Sequence, residues 1–240
     1  MLVFLDERLV LLSTPKCASS SVQKAYIPYA SSVIGGHPRL KHIDLSTYEH
    51  DFGYFSNVAN EPLETVCVIR DPIAHLRSWY RYLHRNNMNK INSLYRGKSF
   101  EYFIRTFLAD GDHWFFKTQL EFVNDATGKI GVNRIFALEN IHQFRNFMNS
   151  RLGVCTRIPK LNVSKPVETP ISSSLEAALR NRLSSDLILY EEVLQMKNGW
   201  VNPHRHIENN MINPQATNLS KIVTKDFVRR ARALRSFWWT

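Results

Sequence analysis

The stretch STPKCASSSVQKAY, residues 13–26, follows the apolar run Leu9-Val10-Leu11-Leu12 and sets Lys16 among the hydroxyls of Ser13, Thr14, Ser19, Ser20 and Ser21. An apolar run, a polar turn and then helix-forming residues read as a strand feeding a helix start. Ser20 and Gln23 have the spacing of a capping box, which puts the start inside Ser19-Ser20-Ser21. The first N–H groups of a helix have no intrahelical acceptor and the helix dipole favours negative charge, so phosphate or sulfate is the natural guest. Taken alone, serines in such a turn are more often plain helix caps.

A second stretch, VCVIRDPIAHLRSWY from Val66 to Tyr80, ends a strand at Ile69, delivers Arg70 at its carboxyl edge, turns at Asp71-Pro72 and enters a helix that carries Ser78. Arginine at a strand end suits bidentate contact with a phosphate, and Ser78 would point a hydroxyl toward the same group. By itself Arg-Asp-Pro also suits a structural turn with an Arg–Asp pair. The two common nucleotide loops are absent: no G-x-x-x-x-G-K-[ST] and no G-x-G-x-x-G occurs.

Three elements must position these groups. Short apolar or β-branched runs at 9–13, 65–69 and 134–138 read as strands. Helical periodicity covers 20–29, 73–83, 99–108, 141–152 and 173–196, while 35–62 and 158–170 read as long loops. Strands alternating with helices predict an α/β fold with a central parallel sheet flanked by helices. No repeat or low-complexity tract interrupts the 240 residues, so one domain spanning 1–240 is expected, with a basic, aromatic segment at 214–240.

The balance of 31 Lys+Arg against 21 Asp+Glu, net charge +10, favours an anionic partner. In KDFVRRARALRSFWWT a solvated helix with an aromatic end is the favoured reading over a nucleic-acid arm, so nucleic acid is not the expected partner. Cys17, Cys67 and Cys155 are odd in number and far apart, which argues against a disulfide scaffold or a zinc site. Asp6, Glu7 and Arg8 break the N-terminal apolar stretch, and no window reaches membrane-spanning length. A soluble, cytoplasmic protein without a membrane span is expected.

Taken together and in this order, the two polar turns resemble the sulfotransferase superfamily, in particular its carbohydrate-type and bacterial members. Pro15-Lys16-Cys17-Ala18-Ser19-Ser20-Ser21 is similar to the family's Pro-Lys-x-x-x-[ST]-[ST], and Arg70-Asp71-Pro72 with Ser78 is similar to its second motif. Further on, IFALENI (135–141) and LSSDLILYEEV (183–193) resemble a Glu-bearing strand end and a late helix of the family. The chain departs from the pattern at His75, where many relatives carry arginine, with Arg77 two positions later, and at Ala18 and Ser19, where glycine is common.

The resemblance implies a P-loop-like three-layer sandwich and transfer of a sulfuryl group from 3′-phosphoadenosine 5′-phosphosulfate (PAPS), with adenosine 3′,5′-bisphosphate (PAP) as product. Lys16, Cys17, Ala18, Ser19, Ser20 and Ser21 would then hold the 5′-phosphosulfate, and Arg70 and Ser78 the 3′-phosphate. Such a transfer needs positioning and charge stabilisation, no metal and no covalent intermediate; Lys16 would offset charge on the bridging oxygen. Cys17 has no evident partner base and reads as packing rather than as a nucleophile.

A hydroxyl acceptor, a glycan or another small molecule, requires a general base. In HPRLKHIDLSTY the pair Lys41-His42 resembles a Lys-His pair of carbohydrate-type relatives, so His42 leads, His37 follows and His50 trails; Glu61, Glu64 and Glu139 stand in reserve. Trp114 and Phe115 in GDHWFFKTQ would offer a stacking platform or a core cluster, and Asn162 and Ser164 would lie near the sulfuryl donor. Other classes remain: a non-catalytic or kinase-like protein binding an anionic nucleotide, and a nucleic-acid-binding module acting through the basic tail.

Overall fold

A computed structural model of the chain describes residues 1–84, 95, 97–109, 118–162 and 167–205. The chain divides into units 1–206 and 207–240; the second unit, and with it the segment 214–240, lies outside the described residues. The first strand pair forms because Asp6, Glu7 and Arg8 separate two short apolar runs. Strand β1 (Leu2–Phe4) pairs antiparallel with β2 (Leu9–Leu11), with Leu2 opposite Leu11. The Arg8 backbone turns at φ 51° and its N–H donates to the Leu5 carbonyl at 3.0 Å.

Helix α1 (Ser19–Tyr26) follows, then the edge strand β3 (Ser32–Val33), which pairs antiparallel with β1. The expected loop over 35–62 holds four short helical segments: α2 (Pro38–Lys41), α3 (Leu45–Thr47), a π-helical turn (Tyr48–Phe52) and α4 (Tyr54–Val58). Strand β4 (Glu64–Ile69) is buried at all six positions, as a central strand covered on both faces must be. It runs parallel to β2 on one side and to β5 (Arg134–Ala137) on the other. Strand β6 (Trp200–Val201) closes the far edge antiparallel to β5, giving the order β3-β1-β2-β4-β5-β6.

The expected central parallel sheet is present as β2, β4 and β5, within a sheet that is mixed because β1, β3 and β6 join it antiparallel. A parallel neighbour needs a crossover of a dozen or more residues, and the short link from β1 to β2 permits only a hairpin.

Between β4 and β5 run α5 (Pro72–Leu83), α6 (Phe100–Ala109) and α7 (Gln119–Val123). After β5 come α8 (Ile141–Leu152), α9 (Ser173–Arg182) and α10 (Ser184–Gln195). The single helix expected over 173–196 is two, broken at Leu183; in the first turn of the second, the buried Asp186 accepts from the Leu120 N–H on α7. Alternating side chains of the sheet fill two cores. Val10, Cys67, Ile69 and Ile135 pack with Leu45, Phe55, Val123 and Leu189, whereas Leu11, Val66, Val68 and Phe136 pack with Val22, Tyr26, Phe144 and Met148. Helices thus cover both faces. A third core joins α5, α6 and α9 through Leu76, Tyr80, Phe103 and Leu179. No helix among the described residues is long and apolar enough to cross a membrane.

Candidate anion site at the carboxyl edge of the parallel strands

Past β2 the backbone leaves the sheet at the buried Ser13 and Thr14 and then takes positive φ at Lys16 (59°) and Ala18 (57°), but not at the intervening Cys17. Alternating handedness turns successive N–H groups toward one concave side, a nest suited to an anion. Helix α1 begins at once, with Ala18 as its N-cap and the Val22 N–H donating to the Ala18 carbonyl at 3.0 Å. The expected Ser20–Gln23 capping box is not formed. Ala18 already occupies the cap in a left-handed conformation, and Gln23 Nε2 instead donates to Ser13 Oγ at 3.0 Å, tying the helix back to the strand end. Ser19, Ser20 and Ser21 therefore supply the first helical N–H groups rather than the cap.

Strand β4 delivers Arg70 beside this turn. Asp71 caps α5, accepting from the Ala74 N–H at 2.6 Å, with Pro72 in the first helical position. Arg70 Nη1 donates to the Lys16 carbonyl at 3.3 Å. Its Nε is a buried donor with no hydrogen-bond partner among the described residues, and so is Arg77 Nε. The fully buried His75 donates from Nε2 to the Pro15 carbonyl at 3.0 Å, and burial pushes its pKa down to about 3, so it is neutral. His75 is thus a neutral strut under the loop. Lys16 Nζ lies 3.9 Å from the ring centroid of Tyr82 and 5.3 Å from that of Trp79, a cation–π hold from α5. Ser78 is half-buried three residues after His75 and four before Tyr82, so it shares the helix face that meets the loop.

The segment after β3 covers the turn from the other side. His42 Nδ1–H donates to the Ser13 carbonyl at 2.6 Å, which leaves the lone pair on Nε2. Burial, reinforced by nearby cations, pushes its pKa down to about 4. Lys41 Nζ donates to Ser20 Oγ at 2.8 Å, so the Lys41-His42 pair straddles the turn from strand end to helix start. His37 is exposed and caps α2, its Nδ1 accepting from the Arg39 N–H at 3.3 Å. His50 is exposed and paired with Asp51 at 2.6 Å. Neither is brought to the turn by any of these bonds.

Among the reserve carboxylates, Glu61 pairs with Arg8, and the buried Glu64 pairs with Arg134 and Arg151, each at 2.9 Å. Glu64 opens β4, about 20 Å along the chain direction from Arg70, so both serve the opposite end of the sheet. Glu139, just past β5, lies at the Arg70 edge: its Oε1 accepts from the Asp71 N–H at 3.4 Å.

Sequence reasoning passed over Gln119. It is buried on α7, its Oε1 accepting from the Arg70 N–H at 2.9 Å and from the Cys17 thiol at 3.2 Å, its Nε2 donating to the Arg70 carbonyl at 2.7 Å. A local signal did exist: Thr118 and Glu121 form a capping box that marks a helix start right after the aromatic run. Residues 111–117 of that run, with Trp114 and Phe115, lie outside the described residues, as does Ser164. Near Asn162, the Leu161 N–H donates to Ser21 Oγ at 3.1 Å, drawing this segment to the start of α1. Cys17 is a buried free thiol whose pKa is raised by burial, unsuited to a nucleophile.

The carboxyl ends of three adjacent parallel strands thus bring together the nest, the Arg70 turn and Glu139, the crevice where open α/β sheets bind ligands. Around it stand the cations Lys16, Lys41 and Arg70 with the neutral His42 and His75. Such a set can hold a multiply charged anion and accept a proton beside it. No family model, curated protein or solved structure matches the chain.

Proposed function

We propose that the chain is a PAPS-dependent sulfotransferase on a P-loop-like three-layer α/β fold, acting in the cytoplasm on an acceptor hydroxyl, with a carbohydrate as the favoured acceptor class. One observation carries this reading: a backbone nest and an arginine with an orphaned buried Nε sit on adjacent strand ends, beside a neutral histidine whose Nε2 holds the lone pair. Buried donors without partners are the kind of group an anionic ligand satisfies.

Bound at this edge, PAPS would supply a sulfuryl group carried on a phosphate leaving group. The N–H groups of Cys17 to Ser21 and the serine hydroxyls donate to the 5′-phosphate, and the Lys16 ammonium offsets charge gathering on the bridging oxygen. Arg70, with Ser78 on the facing helix, takes the 3′-phosphate. His42 Nε2 accepts the proton of the acceptor hydroxyl while that oxygen bonds to sulfur. In a loose transition state the incoming oxygen gains little positive charge, so a weak base that mainly orients the hydroxyl suffices.

The test is thermal unfolding with adenosine 3′,5′-bisphosphate, adenosine 5′-monophosphate and ATP. At a hundredfold excess over Kd a ligand of the native state adds about 2.7 kcal/mol, roughly 5–10 °C in Tm for a domain of this size. Selective stabilisation by the bisphosphate, weakened in Lys16→Ala and Arg70→Ala, is expected, and labelled PAPS then reports the acceptor. Equal or greater stabilisation by ATP would replace this reading with a kinase-like one.

A further inference from the structure

Beside the Arg70–Lys16 and His75–Pro15 bonds, one buried side-chain amide ties the nest to the Arg70 turn. Gln119 is 3 % exposed and bonds both loops at once: the Arg70 N–H and carbonyl at 2.9 and 2.7 Å, and the Cys17 thiol at 3.2 Å. A carboxamide offers an acceptor and a donor at the spacing of a backbone peptide, so Gln119 pairs with the Arg70 backbone just past β4 as a residue of a neighbouring strand would. The amide is itself fixed from behind. Gln119 opens α7, where the Thr118 N–H donates to Glu121 at 2.7 Å and the Glu121 N–H to Thr118 Oγ1 at 3.2 Å. The next N–H, of Leu120, donates at 2.9 Å to the buried carboxyl of Asp186 on α10. A rigid path therefore runs from α10 through α7 to the backbone that carries Arg70 and to the centre of the nest.

We propose that Gln119 is a positioning residue that sets the separation between the Lys16–Ser21 cradle and the Arg70 guanidinium, and through it the preference for a nucleotide phosphorylated at both the 3′ and 5′ positions. This rests on the function proposed above. Loss of the amide removes both backbone bonds of the Arg70 peptide but only the thiol bond of the nest, whose helix stays tied to β2 through Gln23 and Ser13, so recognition of the 3′-phosphate suffers before that of the 5′-phosphate.

Calorimetric titration of the full chain with adenosine 3′,5′-bisphosphate and with adenosine 5′-monophosphate tests this on wild type and Gln119→Leu. The wild type is expected to prefer the bisphosphate; Gln119→Leu is expected to lose about tenfold or more of that ratio, the worth of a hydrogen bond to a charged group, while its affinity for the monophosphate stays within about threefold. An unchanged ratio, or an equal fall for both ligands, overturns the positioning role. Should Gln119→Leu fail to fold, Gln119→Glu keeps the length and the Oε1 acceptor but sets a carboxylate oxygen against the Arg70 carbonyl; loss of the ratio there supports the role and retention overturns it. A wild type without preference for the bisphosphate overturns the sulfotransferase reading, and this inference with it, whereas a preference that survives the substitution overturns this inference alone.

Discussion

Lys16 and Ala18, held at φ 59° and 57°, do at this turn what glycine does at no steric cost. A left-handed residue with a Cβ costs about 1–2 kcal/mol, and replacing alanine by glycine gives back about 0.5–1 kcal/mol in unfolded-state entropy. Ala18→Gly is therefore expected to stabilise the protein by about 0.5–1 kcal/mol in urea unfolding without loss of anion binding, whereas a β-branched residue there should destabilise it. The strain also explains why absent glycines did not betray the nest. A loop without glycine reads as lacking positive φ, and only the folded backbone shows that Lys16 and Ala18 accept it. At His42, the bond from Nδ1 to the Ser13 carbonyl and the pKa of about 4 set the pH behaviour. If His42 is the base, kcat/KM stays level from about pH 8 to 6 and falls only below about 5, because this ratio reports the free enzyme. A break near 6.5 would mean an ordinary exposed histidine carries the proton. His42→Gln is expected to keep bisphosphate-induced stabilisation and lose turnover by about 10²- to 10⁴-fold.

At the scale of elements, the two ends of β4 carry different work. Its first residue, Glu64, is buried between Arg134 and Arg151, and its last, Ile69, hands the chain to Arg70. Removing one partner of a buried ion pair costs about 3–5 kcal/mol because the remaining charge is left unpaired. Glu64→Ala should thus lower stability by about 3 kcal/mol in chemical unfolding while the folded fraction binds the bisphosphate as wild type does. Weakened binding at full folding would instead bring Glu64 back as a site residue. Helix α7 is a five-residue piece with a closed capping box, and Thr118→Ala is expected to cost about 1 kcal/mol. Patterns of this kind were readable in advance: the apolar run of β4, the Asp71-Pro72 start of α5 and the extent of α8 all follow from residues a turn or two apart. The break at Leu183 was not, since the periodicity of 173–196 continues through it, nor was the bond by which Asp186 of the second helix reaches Leu120 on another element.

At the scale of the whole molecule, a buried histidine and a half-buried one couple the fold to acid. His42 and His75 have folded pKa values pushed below the unfolded value of 6.5, to about 4 and about 3. Below pH 6.5 the unfolded chain takes up protons that the folded chain refuses, so their stability is present in full above 6.5 and is lost as pH falls toward 4 and then 3. Tm is expected to decline across this window, and His75→Gln should flatten the lower part of the decline; an equal slope in the variant would remove His75 from the account. The sequence by itself determined the strand-to-helix turns after β2 and β4 and the polar residues on them, Lys16, the three serines and Arg70, because these are set by residues a turn or two apart; His42 was singled out by resemblance alone. Only tertiary structure decided that the sheet is mixed, that His42 faces the strand end while His37 caps a helix, and that Gln119 joins loops 49 and 102 residues away. Those outcomes depend on which chain segments meet across the sheet, and a one-dimensional pattern records the propensity of each segment but not its partner in space.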